Sequence, residues 1–276
     1  MNVFQLINTV LEEIYEAVPG DEAKKDAKIQ ARLQELSDGF SKLITQNKIT
    51  YTDPATRFAY IYKYVTSHSN LVYQCIRTNP ELIKLFKSKT MNLSCIGGGP
   101  GSDLLGVLKY VSNLKAPPAL RCHLLDGENA WADAWSDVDQ KLQSPSTIST
   151  YFLPMNVCDP SNWKLHSKYL QADLFTMIYF LSKIYCKREQ SQPYFDHLFA
   201  SMKKDALVLY IDNNDSRFYE WFDEFAGKHN LEVLERDEQK MGMTTDEEKK
   251  DLGKFYKKFT PVKLEANVAH RICRKL

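Results

Sequence analysis

The sequence predicts an α/β protein, a doubly wound, mostly parallel seven-stranded sheet preceded by an all-helical N-terminal cap. Three observations carry this. From residue 91 onward, short and nearly continuous apolar runs alternate with helical patterns, the pattern of strands buried on both faces of a parallel sheet. The first run, Leu93-Ser94-Cys95-Ile96, ends in a glycine-rich turn that opens at once into an apolar-periodic helix. Before residue 90 the apolar spacing is helical.

In chain order, Val3, Leu6, Ile7, Val10, Leu11 and Ile14 recur at helical spacing up to the Pro19-Gly20 break. A second helix is expected from about Glu22 to Leu43, with its charges outward. Asp53-Pro54 marks a third helix start, with proline just inside it, and that helix runs through Tyr73 or beyond. On it Arg57, Tyr60 or Ile61, Tyr64 and His68 lie on or near one face, either as ordinary core or as a surface closing over a ligand. These helices form a cap over residues 1–90, and residues 91–276 form the sheet domain.

A helix from Leu104 to Val111 follows the glycine turn, and Pro117-Pro118 then breaks the chain. Leu120 to Leu125 reads as the second strand, ending at Asp126, with a helix from near Asn129. The β-branched and aromatic run Ile148 to Leu153 is the third strand. Ala172 to Tyr179 and Ala206 to Ile211 are the fourth and fifth, separated by a helix over Lys183 to Met202. A helix over Phe218 to His229 precedes the last two strands, Leu231 to Glu235 and Val268 to Cys273. The mixed-charge stretch from Asp246 to Lys258 reads as a solvated helix or loop.

The loop Gly97-Gly98-Gly99-Pro100-Gly101-Ser102-Asp103 carries the chemistry. Its glycines let the backbone bend sharply and approach a ligand, and the following helix offers its unpaired amides. The dinucleotide fingerprint needs glycine or alanine where Ser102 stands, and no Gly-Lys-Ser/Thr of a phosphate loop occurs in the chain. A carboxylate ending the second strand, as Asp126 does, can accept both hydroxyls of a ribose or cap the next helix.

The loop resembles the G-x-G-x-G loop of class I S-adenosylmethionine (SAM) methyltransferases, a Rossmann-like family, with Pro100 in a variable slot. The resemblance covers residues 91–276 and implies SAM as cofactor, held by Gly97, Gly98, Gly99 and Gly101, with Asp126 on the ribose. It implies that Asn156 and Val157, after the third strand, contact the adenine, although Asn replaces the usual acid and an Asx turn is the alternative reading. It also implies that the last two strands pair as an antiparallel ribbon. The acid that commonly stands two residues before the first glycine is here Cys95; Asp103, at the helix start, can meet the cofactor's ammonium instead. After the fourth strand, Ile178-Tyr179-Phe180-Leu181-Ser182-Lys183 replaces the Asn/Asp-Pro-Pro-aromatic motif of enzymes acting on adenine N6 or glutamine. No Pro-Cys pair for attack on a pyrimidine ring is present. Residues ending the fourth and fifth strands reach the pocket in such folds; Tyr179, Ser182 and Asp212 are the catalytic candidates, with Asp212-Asn213-Asn214 equally readable as turn chemistry.

Composition narrows the partners. The chain has 36 Lys and Arg against 35 Asp and Glu, a net charge of +1, so no large nucleic-acid footprint is evident. No apolar stretch reaches membrane-spanning length, and no basic segment followed by an apolar one suggests a secretory leader. Six scattered cysteines without a C-x-x-C pair argue against zinc and against a disulfide framework, and a reducing, cytoplasmic or nuclear location is expected. The methyl acceptor is RNA, a small molecule or a protein. The glycine loop, the acid-ended second strand followed by Trp131, and Ala172 to Thr176 bear a weaker resemblance to the fungal rRNA uridine-N3 methyltransferase group. Lys249, Lys250, Lys254, Lys257 and Lys258 offer a local basic patch, with acids interleaved. A non-catalytic SAM-binding sensor or scaffold is the alternative from another class.

Overall fold

Seven strands carry the molecule, and in the computed structural model, which describes residues 1–40, 49–142, 144, 146–244 and 247–276, they form one sheet. They are β1 (Thr90–Ile96), β2 (Ala119–Asp126), β3 (Ile148–Pro154), β4 (Leu174–Ile178), β5 (Leu207–Asn213), β6 (Leu231–Gly242) and β7 (Glu265–Lys275). The order is β3-β2-β1-β4-β5-β7-β6. β1 to β5 pair in parallel, and β7 runs antiparallel to both β5 and β6. The chain builds outward from β1 in one direction, then returns to place β4 on its other side. The carboxyl ends of β1 and β4 therefore flank the crevice where such sheets bind ligands.

Helices α1 (Val3–Ala17), α2 (Glu22–Phe40), α3 (Pro54–Tyr60), α4 (Thr66–Thr78) and α5 (Pro80–Leu85) precede the sheet. Asn2 caps α1 through the amides of Phe4 and Gln5, and Asp53 caps α3 ahead of Pro54. Between α3 and α4 the chain makes a π-helical turn, Ile61–Val65. The helices α6 (Ser102–Val111) and α7 (Ala130–Lys141) follow β1 and β2. Next come α8 (Pro160–Trp163), α9 (Leu181–Ile184), α10 (Arg188–Ser201), α11 (Ser216–Lys228) and α12 (Gly253–Lys258).

Two apolar clusters fill the two faces. One runs without interruption from Val3, Ile7 and Leu11 of α1 through Val72 of α4 to Leu93 of β1 and Leu104 and Leu108 of α6. The other joins Phe175, Met177 and Val208 of the sheet to Phe195, Phe199 and Phe222 of α10 and α11. α4 lies so close to α6 that a Cβ on Gly106 would stand 2.4 Å from the Ser69 carbonyl oxygen.

Several expected boundaries are corrected. The fourth strand, expected over Ala172 to Tyr179, spans Leu174–Ile178, because Ala172 still caps a 3-10 turn, Lys168–Gln171, and Tyr179 turns to a positive φ. β6 extends to Gly242, its polar second half pairing with β7 through Gln239↔Val268 and Met241↔Ala266. The long helix expected from Lys183 is broken by a 3-10 turn, Tyr185–Lys187, and resumes at Arg188. The charged stretch before β7 is not a solvated element: Leu252 and Phe255 are fully buried, and Phe255 packs edge-on against Phe58 at 5.0 Å. The expected end of the second helix at Leu43 and the residue Asp246 lie outside the described residues.

Candidate functional site

β1 ends in a loop whose conformation only glycine tolerates. Gly97, Gly99 and Gly101 have φ of +70°, +50° and +86°, where a Cβ crowds its own backbone. Packing also forbids a side chain at two of them: a Cβ on Gly97 would lie 2.0 Å from the Phe180 ring, and one on Gly101 2.3 Å from the Trp135 indole. Gly99 differs, with nothing nearer than Trp131 Nε1 at 3.8 Å and Asp126 Oδ2 at 3.9 Å, so here bare backbone faces the crevice. The Gly98 amide donates to the Leu125 carbonyl at 3.0 Å and the Gly101 amide to the Gly98 carbonyl at 2.8 Å, which ties the loop to the end of β2.

At that end Asp126 accepts the Gly99 amide on Oδ2 at 3.0 Å and the Glu128 amide on Oδ1 at 2.9 Å. Each oxygen keeps a further lone pair, so capping the chain turn leaves capacity for two hydroxyl donors. Burial raises the pKa of this carboxyl, opposed by the Glu128 amide, the Lys183 ammonium and the Gly99 amide.

The helical cap supplies the roof. Tyr60, Tyr64 and His68 form one row, with ring centroids 5.5 and 5.8 Å apart in sequence. The π turn between α3 and α4 winds more widely than an α-helix and keeps these residues aligned; such turns often occur at functional sites. Arg57 is not in that row: it donates to the carbonyls of Tyr51 and Thr52 at 2.8 and 2.9 Å. It thereby holds Tyr51, whose ring lies 4.5 Å from Trp131 and 5.2 Å from Tyr60. Lys183 of α9 enters between these rings, its Nζ 3.2 Å from the Tyr60 hydroxyl and 3.4 Å from the Tyr51 hydroxyl. It also stands 4.3 Å above the Tyr60 ring centroid. Burial drives the Tyr60 phenol far above its ordinary range, and the nearby carboxylates of Asp126, Asp103 and Asp212 add to this. Lys183 thus lies against two aromatic faces, and its charge is among the influences that favour ionisation of Asp126 and Asp103.

Asp103 sits on the first turn of α6, 2% exposed, and accepts the Thr176 hydroxyl at 2.6 Å. Burial raises its pKa to about 7, with the Thr176 hydrogen bond as the main opposing influence. Because the folded value lies above that of an unfolded aspartate, ionising Asp103 destabilises the fold. The cost is absent below about pH 4, grows between about pH 4 and 7, and is complete above that, at most ~4 kcal/mol. Asp103→Asn keeps an acceptor for Thr176 and is expected to raise Tm by about 5–10 °C at pH 8 and to leave it unchanged at pH 4. Equal shifts at both pH values in a thermal melt would contradict this.

At the ends of β4 and β5 the other candidates meet. Tyr179 is 2% exposed with φ +53°, unusual for a residue with a side chain. Its ring stacks on His68 at 4.3 Å and 19°. Asp212 is fully buried within β5; its oxygens accept the Ser182 amide at 2.9 Å and the Asn213 amide at 2.8 Å, and burial raises its pKa to about 6. Ser182 and Asp212 thus lock the turn that carries Lys183. A cavity of about 240 Å³ opens beside them, lined by Ser37, Lys63, Tyr64, His68, Tyr179, Asn213 and Lys263. Burial, then the charges of Lys263 and Lys183, push the His68 pKa well below its ordinary value, so the imidazole is neutral and a weak base.

Asn156 and Val157 stand further out. Asn156 Oδ1 accepts the Cys158 amide at 3.0 Å, an Asx turn, while Val157 is buried. Within the expected basic patch, Lys258 pairs with Glu22 and with Asp26, Lys254 lies over the Tyr15 and Phe255 rings, and Lys249, Lys250 and Lys257 are exposed. Lys183, Lys263 and Tyr51 are site residues that sequence reasoning did not single out. Their only local signal is a lysine or tyrosine beside strand-end or helix-start residues.

Among the described residues no helix is long and apolar enough to cross a membrane, and no group of three or more His, Cys, Asp or Glu is placed to hold a metal ion.

No family model matches the chain, and no curated protein matches it in sequence. Solved structures do. An O-methyltransferase family protein from Burkholderia thailandensis superposes with a TM-score of 0.52 at 12% identity, over 91% of this chain and 72% of that one. A SAM-dependent methyltransferase from Methanosarcina mazei gives 0.46 at 10% identity, over 72% and 98%. The N-methyltransferase NodS from Bradyrhizobium japonicum gives 0.40 at 12%, over 74% and 96%. The fold is the seven-stranded, Rossmann-like methyltransferase fold.

Proposed function

We propose that this chain, with its methyltransferase fold, binds SAM over the glycine loop and is a methyltransferase acting on a nitrogen or oxygen acceptor in RNA. The observation that carries this reading is the aromatic cage of Tyr51, Tyr60 and Trp131 beside Lys183, which adjoins the glycine loop through Trp131, 3.8 Å from where a Gly99 Cβ would stand. A nucleoside with two cationic centres, an ammonium and a sulfonium, is the ligand such a cage complements. When bound, SAM supplies a methyl group already activated on sulfur.

The chain's own residues then have separable tasks. Gly99 gives room for the ligand backbone, Asp126 accepts ribose hydroxyls, and Asn156 and Val157 flank the adenine. Asp103 carries charge toward the ammonium end. Tyr179 and His68 form a flat wall at the acceptor cavity, where proximity alone supplies up to roughly 7–11 kcal/mol of the barrier reduction. Asp212 and Ser182 hold the α9 turn in register. Lys63 and Lys263 beside the cavity favour an anionic acceptor such as RNA.

Calorimetric titration with SAM and S-adenosylhomocysteine tests the reading. Binding by the native chain and none by Gly99→Arg is the supporting result, and no binding by the native chain ends it. Turnover of SAM in the presence of RNA separates an enzyme from a sensor that only binds. Lys183→Met removes the resident cation and is expected to tighten SAM by ~10-fold, the scale of one desolvated cation–π contact. S-adenosylhomocysteine, which lacks the sulfonium charge, should gain less. Equal or weaker SAM binding by this variant would show that Lys183 does not share the cofactor's cation site.

A further inference from the structure

A parallel sheet is normally covered on both faces, and its strands are correspondingly apolar. β2 and β3 break that rule. Leu120, Cys122 and Leu124 of β2 are buried, but the opposite face carries Arg121, which is exposed, and His123. β3, at the sheet edge, has no buried residue at all, and its Tyr151 is 53% exposed. The helical layer that covers β4 and β5 stops short here. The segment ahead of β4 forms only a wall, in which Leu165 is 78% exposed and Lys168 is exposed.

The result is a groove of about 780 Å³ that includes Arg121, His123, Tyr151, Leu153, Leu165 and Lys168, with no carboxylate in its lining. The nearby Asp173 is committed to the Lys203 ammonium at 2.5 Å and the Asn92 amide at 2.7 Å. His123 and Tyr151, opposite each other in register, stack at 5.4 Å and 25°. Burial, reinforced by Lys168, lowers the His123 pKa, so the stack is an uncharged planar platform in a groove that Arg121 and Lys168 also line. Planar rings on an open sheet face, with cations beside them, match unstacked bases joined by a phosphate backbone. The groove lies toward the middle and amino-terminal half of the strands, away from the loop and from the acceptor cavity at their carboxyl ends.

We propose that this open face of β2 and β3 is a docking site for single-stranded RNA, with bases stacked on Tyr151 and His123 and phosphates on Arg121 and Lys168. The purpose of the docking rests on the methyltransferase reading, but the binding itself is measurable without cofactor.

The test is fluorescence anisotropy with a labelled 12-nucleotide oligouridylate on the full chain. Two phosphate contacts predict that affinity falls about 7-fold between 50 and 200 mM salt. Tyr151→Ala is expected to weaken binding by about 5- to 100-fold. Arg121→Gln combined with Lys168→Gln should weaken it and flatten the salt dependence, while Lys240→Gln, remote from the groove, should not. All these positions are exposed, and thermal melts of the variants establish that they fold. Absence of binding by the native chain, or equal binding by the groove variants, overturns the proposal. So does a dimer that Tyr151→Ala dissociates, since a second copy would then cover the face. SAM titration is scored separately: RNA binding with no SAM binding sinks the methyltransferase reading alone, and the reverse sinks the groove alone.

Discussion

Asp126→Ala is expected to lower the affinity for SAM by at least about 100-fold. Two hydroxyl donors to an ionised carboxylate are each worth roughly 1.5–3 kcal/mol, and about 2.7 kcal/mol already corresponds to 100-fold. The side chain also receives the amides of Gly99 and Glu128, so its loss releases the loop that faces the ligand. Asp126→Asn distinguishes the two contributions, because it keeps one acceptor oxygen and loses the charge. Calorimetry should place it between the native chain and the alanine variant. Unchanged affinity in Asp126→Ala would reduce the residue to a cap.

The second large effect is on stability. Gly97→Ala adds a Cβ that would lie 2.0 Å from the Phe180 ring in a left-handed backbone conformation. The backbone contributes about 1–2 kcal/mol and the overpacking about 1–3 kcal/mol. Together these predict a fall in Tm on the order of 5–15 °C. Phe180→Ala removes the obstructing ring, so Gly97→Ala measured against Phe180→Ala alone should recover the packing part of the loss and retain the backbone part. Full recovery, or none, would show that one of the two terms is misassigned.

The glycine loop and Asp126 were legible because they are local: strand, turn, helix and acid-ended strand fall within one unit, each with its own residue signature. The row Tyr60, Tyr64 and His68 was legible as a face, but the π turn that keeps it aligned leaves no mark in residue type. The cage was not legible. Tyr51, Tyr60, Trp131 and Lys183 come from a loop and three helices, and only tertiary packing brings them together. β6 was cut short because its second half alternates poorly; its pairing to β7 is set by partner backbone rather than by a buried face of its own. The burial of Leu252 and Phe255 was hidden by the lysines around them, whose stems cover apolar surface while their charges reach solvent. The open face of β2 and β3 was visible as Arg121, His123 and Tyr151 in otherwise strand-like runs, but nothing in the sequence said that the covering layer ends there.

The close approach of α4 to α6 at Gly106 bears on how quickly the site can exchange its contents. A carbonyl seated where a Cβ would stand, within an apolar cluster continuous from α1 to β1, ties roof to sheet along this seam. On the proposed reading, ligand entry and departure are expected to depend on side chains beside the glycine loop, Tyr51 and Lys183 above all, more than on a swinging of one half against the other. Residence time becomes a property of a few rotamers. Dissociation rates should therefore respond to single substitutions at those two residues and be nearly indifferent to solvent viscosity, which slows the motion of large bodies.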